Sequence, residues 1–172
     1  MQKTKKGFNL VEMLIVLGIV IFLSAILLPS YGSMRAKFAL LRSAYQLAQD
    51  IKMAREMAIS AKAAAGGVPS GYGVYLIEGN SNYMIYVDTN GDERFNADSN
   101  EDFKDINLEN RVDIQDISGS SPEVSINFTG PDPNVSINGS PILTMVIVTL
   151  GLEGTSETKN IRINGAGLIY AE

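Results

Sequence analysis

The hydrophobic pattern of the chain changes character twice. From Phe8 to Leu28 it is apolar with no helical or strand period, and Glu12 is the one charged residue in the run. A stretch that is apolar on every side belongs in a membrane or in a large core. As a helix these 21 residues reach about 31 Å, the thickness of a bilayer's hydrocarbon layer. Beyond Pro29 and Gly32 the pattern turns amphipathic. Leu40, Ala44, Leu47, Ile51, Ala54 and Ala58 recur at alternating spacings of four and three, while Arg42, Gln46, Gln49, Lys52, Glu56 and Lys62 fill other faces. That is one buried stripe on a surface helix. Pro29 therefore predicts a kink rather than a stop. Gly66-Gly67 followed by Pro69 supplies the stop, because glycine accepts a left-handed cap and proline cannot continue the helix. The helix is expected to end near Ala65, with residues 8–28 as its spanning half and 29–65 as its amphipathic continuation.

The remainder, residues 70–172, reads as strands. Tyr72 to Ile77 and Tyr83 to Val87 flank the polar interval Glu78-Gly79-Asn80-Ser81-Asn82, which suits a hairpin loop. Further strands are expected at Arg111 to Ile117, Val124 to Phe128, Ile142 to Leu150, Asn160 to Ile163 and Leu168 to Tyr170, separated by Gly, Pro and Ser. Val124, Ile126 and Phe128 alternate with polar residues as in a half-buried strand, and Ile142 to Leu150 is apolar enough to be central. The predicted class is α+β: one long N-terminal helix packed on a β-rich head with a mainly antiparallel sheet.

Composition narrows the chemistry. The 172 residues contain neither cysteine nor histidine. Disulfide bracing, thiol catalysis, zinc-thiolate sites and Ser-His-Asp or Cys-His mechanisms are all excluded. The formal charge is −5, and loss of Lys3, Lys5 and Lys6 would take it to −8. Such acidity disfavours binding to nucleic acid. No enzymatic activity is expected.

Glu12 is the anomaly in the apolar run, since an ionisable group inside a span costs roughly 2.5 to 3.5 kcal/mol on insertion scales. The leader before it, residues 1–7, is basic and free of acids, which orients the N-terminus to the cytoplasm. A cut after Gly7 would free a positive α-amine on Phe8. That amine would lie about one helical turn from Glu12, which also sits near the positive end of the helix. Two plainer readings are an ordinary secretory signal peptide and a single-span anchor with an incidental acid. The run is long for a signal core and lacks a small-x-small cleavage site, and the anchor leaves the Gly-Phe-x-x-x-Glu spacing unexplained.

The segment GFNLVEMLIVLGIVIFLSAILLP, residues 7–29, closely resembles the signal of type IV pilins and type II secretion pseudopilins. The resemblance implies that a prepilin peptidase cuts between Gly7 and Phe8 and N-methylates Phe8. It implies that Glu12 engages the Phe8 amine of a neighbouring subunit during assembly. Further landmarks resemble the GspH/FimT-like minor pseudopilins and minor pilins: residues 54–59 late in the helix, 87–92 after a strand, 128–131, and Ile161 to Gly167 near the end. The resemblance implies an inner-membrane, single-pass protein with a periplasmic head. Its partners would be the prepilin peptidase, the inner-membrane assembly platform and other pilins or pseudopilins. Some competence-type members bind DNA through arginines around the C-terminal glycine. Here residues 165–172 carry no cation and the nearest is Arg162, so DNA uptake is not transferred.

The head carries one candidate metal site. Asp88, Asn90 and Asp92 place oxygen side chains at alternate positions, with Asp98 beyond them, an arrangement that suits calcium. Against an EF-hand loop, the sixth position is Glu93 rather than glycine and the twelfth is Ser99 rather than glutamate. Asp98, Glu101 or Asp102 could substitute. The competing reading is a solvated turn in which Asx side chains bond their own backbone. Three functions follow from these residues: a pilin-type assembly subunit, an anchored calcium-dependent binding or adhesive module, and a DNA-uptake minor pilin.

Overall fold

Why the two halves of the long helix differ in sequence becomes plain from their burial. A computed structural model of the chain describes residues 9–64, 67–118, 121–131, 134–142 and 145–172, with the backbone alone at 28–31. Helix α1 runs from Leu10 to Ile59, and the chain divides into two units at Ala36/Lys37 within it. In the first unit the apolar residues of α1 stay exposed, from Leu10 at 77% to Leu27 at 70%. Ser24 turns its hydroxyl onto the carbonyl of Val20, 2.8 Å away, so this polar group is satisfied inside the helix itself. Leu10–Leu27 is long and apolar enough to cross a membrane. The helix continues through Pro29 without a break.

In the second unit every residue of the expected stripe, Leu40, Ala44, Leu47, Ile51, Ala54 and Ala58, is buried. Burial of each leucine or isoleucine contributes about 1.5–3 kcal/mol. The helix stops six residues short of the expected end at Ala65. Ala61 adopts a left-handed backbone with φ 47°, its N–H donates to Ala58 O, and Lys62 N–H donates to Met57 O. This pair of bonds is a Schellman cap, and alanine rather than glycine holds the left-handed position. The Tyr72 hydroxyl donates to Lys62 O at 2.8 Å and fixes the released chain against the head. Ala65 and Gly66 lie outside the described residues.

Among the described residues ten strands follow: β1 Gly71–Ile77, β2 Asn82–Asp88, β3 Asp102–Asn107, β4 Val112–Ile117, β5 Glu123–Thr129, β6 Asn134–Ile137, β7 Ser140–Pro141, β8 Met145–Leu152, β9 Thr158–Asn164 and β10 Ile169–Ala171. They form two antiparallel sheets, ordered β3-β2-β1-β5-β6-β7 and β10-β9-β8-β4. The class is α+β, as expected from the sequence. The β1–β2 turn joins the sheets, because Gly79 N–H donates to Ile114 O and Ile114 N–H donates to Asn80 O along the outer edge of β4.

The core lies between the stripe on α1 and one face of the sheets. Tyr72, Val74, Leu76, Ile85, Val124, Ile126 and Phe128 are buried from the larger sheet, with Val148, Leu150, Ile161 and Ile163 from the smaller. Tyr83 Oη donates to Asp50 on α1 at 2.5 Å. Burial, reinforced by the Asp50 hydrogen bond and charge, pushes this phenol's pKa upward.

Strand β5 is not half-buried. Ser125 and Asn127, on its other face, are also buried, because the segment after β2 folds back over that face. Phe95 packs against Tyr75 in a tilted pair and against Tyr86 edge-on, at ring separations of 4.8 and 5.8 Å, and its N–H donates to Ser125 Oγ. Gly73, opposite both Tyr86 and Asn127, makes room for this layer. A Cβ there would come within 2.4 Å of the Tyr86 ring.

Candidate functional sites

The first candidate is the start of α1. Asn9 precedes the helix, and its Oδ1 accepts from Val11 N–H at 3.3 Å while its carbonyl accepts from Met13 N–H. It is an N-cap, which sequence reasoning passed over although Asn at that place is a standard signal. Glu12 stands at the third helical position and is exposed. A carboxylate there meets the positive end of the helix, which stabilises it by about 0.3–1 kcal/mol. The spacing Asn-x-x-Glu is also that of a capping box. Glu12 thus has a local structural role available beside any role in assembly, and a test of its function must separate the two. Gly7 and Phe8 lie outside the described residues, as does the leader.

The second candidate is the loop from Asp88 to Glu101. Asp88, at the end of β2, is fully buried. Its Oδ1 accepts from Gly91 N–H at 2.6 Å, and its Oδ2 accepts from Glu93 N–H and from the Asn127 amide at 3.1 and 3.0 Å. Glu101, just before β3, is equally buried. It accepts from the Thr89 N–H and hydroxyl, both at 3.2 Å, and from Asn96 N–H at 2.8 Å. Each carboxylate therefore holds three neutral donors. The two acids pin the two ends of the loop.

Between them, Asn90 and Asp92 form successive Asx turns. Asn90 Oδ1 accepts from Asp92 N–H, Asp92 Oδ1 accepts from Arg94 N–H, and Asp92 Oδ2 accepts from the amides of Asn90 and Asn96. Arg94 Nε reaches across to Asn138 O at 2.8 Å. Asp98 is exposed in a 3₁₀ turn at Ala97–Ser99.

The structure therefore brings Asp88, Asn90 and Asp92 into one turn but assigns their oxygens to N–H donors, and it leaves Asp98 apart. Among the described residues no group of three or more His, Cys, Asp or Glu side chains is arranged to hold a metal ion. Glu101, named in the sequence only as a substitute ligand, is the second anchor. Its burial could not be read from the sequence, where it sits among exposed Asp98, Asn100 and Asp102.

The tyrosines register this environment. Burial pushes the Tyr86 phenol upward, helped by the negative charges of Asp88 and Glu101. Tyr75 is pushed up to about 12 by burial and by Glu123, which its hydroxyl donates to at 2.8 Å. Near the C-terminus, Arg162, the cation nearest the terminal glycines in sequence, is ion-paired with Glu172. Compared with family models, with curated proteins and with solved structures, the chain matches none of them.

Proposed function

We propose that this chain is a prepilin-type structural subunit. It is cut between Gly7 and Phe8, methylated on the new Phe8 amine, and held in the cytoplasmic membrane by residues 8–28 with its head on the far side. It then joins a type II secretion pseudopilus or type IV pilus as a minor component. The prepilin peptidase, the assembly platform and sister pilins are its partners.

The observation that carries this reading is the first half of α1: a helix apolar on all sides, exposed from Leu10 to Leu27, whose single carboxylate stands in its first turn. A surface of that kind needs another hydrophobic environment. The bilayer supplies it before assembly and the helices of other subunits supply it afterwards. Glu12 would then meet the Phe8 amine of the next subunit, and the head's role is to present a stable surface rather than to catalyse. The test is the pair of variants Glu12→Gln and Asn9→Ala in cells that assemble the filament. Glu12→Gln keeps a hydrogen-bonding side chain at the third helical position but loses the charge. It should reach the membrane and fail to enter filaments, whereas Asn9→Ala should weaken the cap and still enter. Normal incorporation of Glu12→Gln would sink the proposed docking role.

A further inference from the structure

Three Asn-Gly pairs occur in the head, at 90–91, 138–139 and 164–165. In such a pair the unhindered glycine nitrogen can attack the asparagine side chain. In an unfolded chain the three would behave alike, so any difference between them comes from the fold.

At Asn90 both partners of the reaction are engaged. Gly91 N–H, the attacking group, donates to the Asp88 carboxylate at 2.6 Å. The Asn90 amide donates to Asp92 Oδ2, and its Oδ1 accepts from Asp92 N–H. Removing a proton from Gly91 N beside a buried carboxylate is electrostatically unfavourable. At Asn138, in the two-residue turn between β6 and β7, the side chain is turned onto β5. Its Oδ1 accepts from Ser125 N–H at 2.8 Å and its amide donates to Glu123 O at 3.2 Å. This amide is held at both ends, and release of its nitrogen breaks the link between two strands.

Asn164, at the end of β9, is different. Its Oδ1 accepts from Ala166 N–H at 3.1 Å and from Leu168 N–H at 2.8 Å. These two donors converge on the oxygen that would carry negative charge when the glycine nitrogen adds to Cγ, and donors aimed at a developing oxyanion lower the barrier. The same Asx turn holds the side chain folded toward the following residues. Among the described residues, the Asn164 amide nitrogen and Gly165 N–H take no hydrogen-bond partner.

We propose that Asn164-Gly165 is a self-modification site, converting through a cyclic imide to aspartate and isoaspartate ahead of the other two pairs. Gly165 N loses its proton to solvent base and bonds to Asn164 Cγ. The Cγ–Nδ2 bond breaks, and ammonia leaves after taking a proton from water. Water then opens the imide at either carbonyl. Isoaspartate adds a methylene to the backbone of the turn joining β9 to β10. Gly167 in that turn packs against Arg55 of α1, whose Nε lies 3.1 Å from where a Cβ would be.

The experiment is timed incubation of the full chain in mild detergent at weakly alkaline pH, followed by peptide mapping that separates aspartate from isoaspartate. A parallel sample is held unfolded in urea. The folded chain should lose Asn164 several-fold faster than Asn90 or Asn138, and the unfolded chain should lose all three at similar rates. Equal or faster loss at Asn90 or Asn138 in the folded chain would overturn the proposal, as would a preference for Asn164 that survives in urea.

Discussion

The two halves of α1 are one helix with two hydrophobic logics. Up to Leu27 the apolar residues have no period and remain exposed, whereas from Leu40 onward the stripe of Leu40, Ala44, Leu47, Ile51, Ala54 and Ala58 is buried, none of them more than 6% exposed. The second half is completed by its own head. The first half leaves its apolar residues exposed among the described residues. That difference separates what the chain needs in order to fold from what it needs in order to work, and it can be attacked by mutation from either side.

The largest effect should come from the stripe. Leu47→Ala or Ile51→Ala is expected to destabilise the head by about 2–5 kcal/mol, read from denaturant unfolding of the detergent-extracted chain. Leu17→Ala should leave the same transition within about 0.5 kcal/mol. Similar losses at both places would erase the distinction between the halves. Next come the loop anchors. Asp88→Ala or Glu101→Ala strands three donors under the loop and should cost about 2–4 kcal/mol, while exposed Asp98→Ala should be nearly silent. Equal, small effects at all three would return the loop to a freely solvated turn.

A smaller effect is expected in alkali. The phenols of Tyr75, Tyr83 and Tyr86 have pKa values raised in the fold, Tyr75 to about 12, and in the unfolded chain they return to about 10. The folded state thus keeps protons that the unfolded state releases. Stability should be level below about pH 10 and decline as pH rises from there through the folded values. Tyr83→Phe should flatten that decline, and an unchanged slope would show that Asp50 and burial do not hold this proton. The smallest effect is set by the N–H donors already on Asp88 and Glu101. Added calcium, or its removal by chelator, should not move the melting temperature, and a clear calcium-dependent rise would revive the loop as a metal site.

Much of this was legible in the sequence because it rests on periodicity. The stripe, the β1–β2 hairpin and the strand positions of β5 and β8 follow from spacings of four, three and two. What stayed hidden depends on contacts made elsewhere. Strand β3 reads as a charged loop, Asp102-Phe103-Lys104-Asp105, because an edge strand tolerates and uses charge. Strands β6 and β7 are too short to show a pattern. The helix end was missed because a left-handed Ala61, backed by the Tyr72–Lys62 contact, ends it before the glycines that favour such a cap. Asp88 and Glu101 look like any acids in a polar loop, and their burial accompanies hydrogen bonds to Gly91, Glu93, Thr89, Asn96 and Asn127 that the sequence does not show.

The central claim is that the exposed half of α1 is an assembly element created by processing. Intact-mass and N-terminal analysis of the chain extracted from membranes of cells containing the peptidase tests it most directly. The account requires a mature chain that begins with N-methylated Phe8. Recovery of an uncut chain, or of one cut near Pro29, would contradict it.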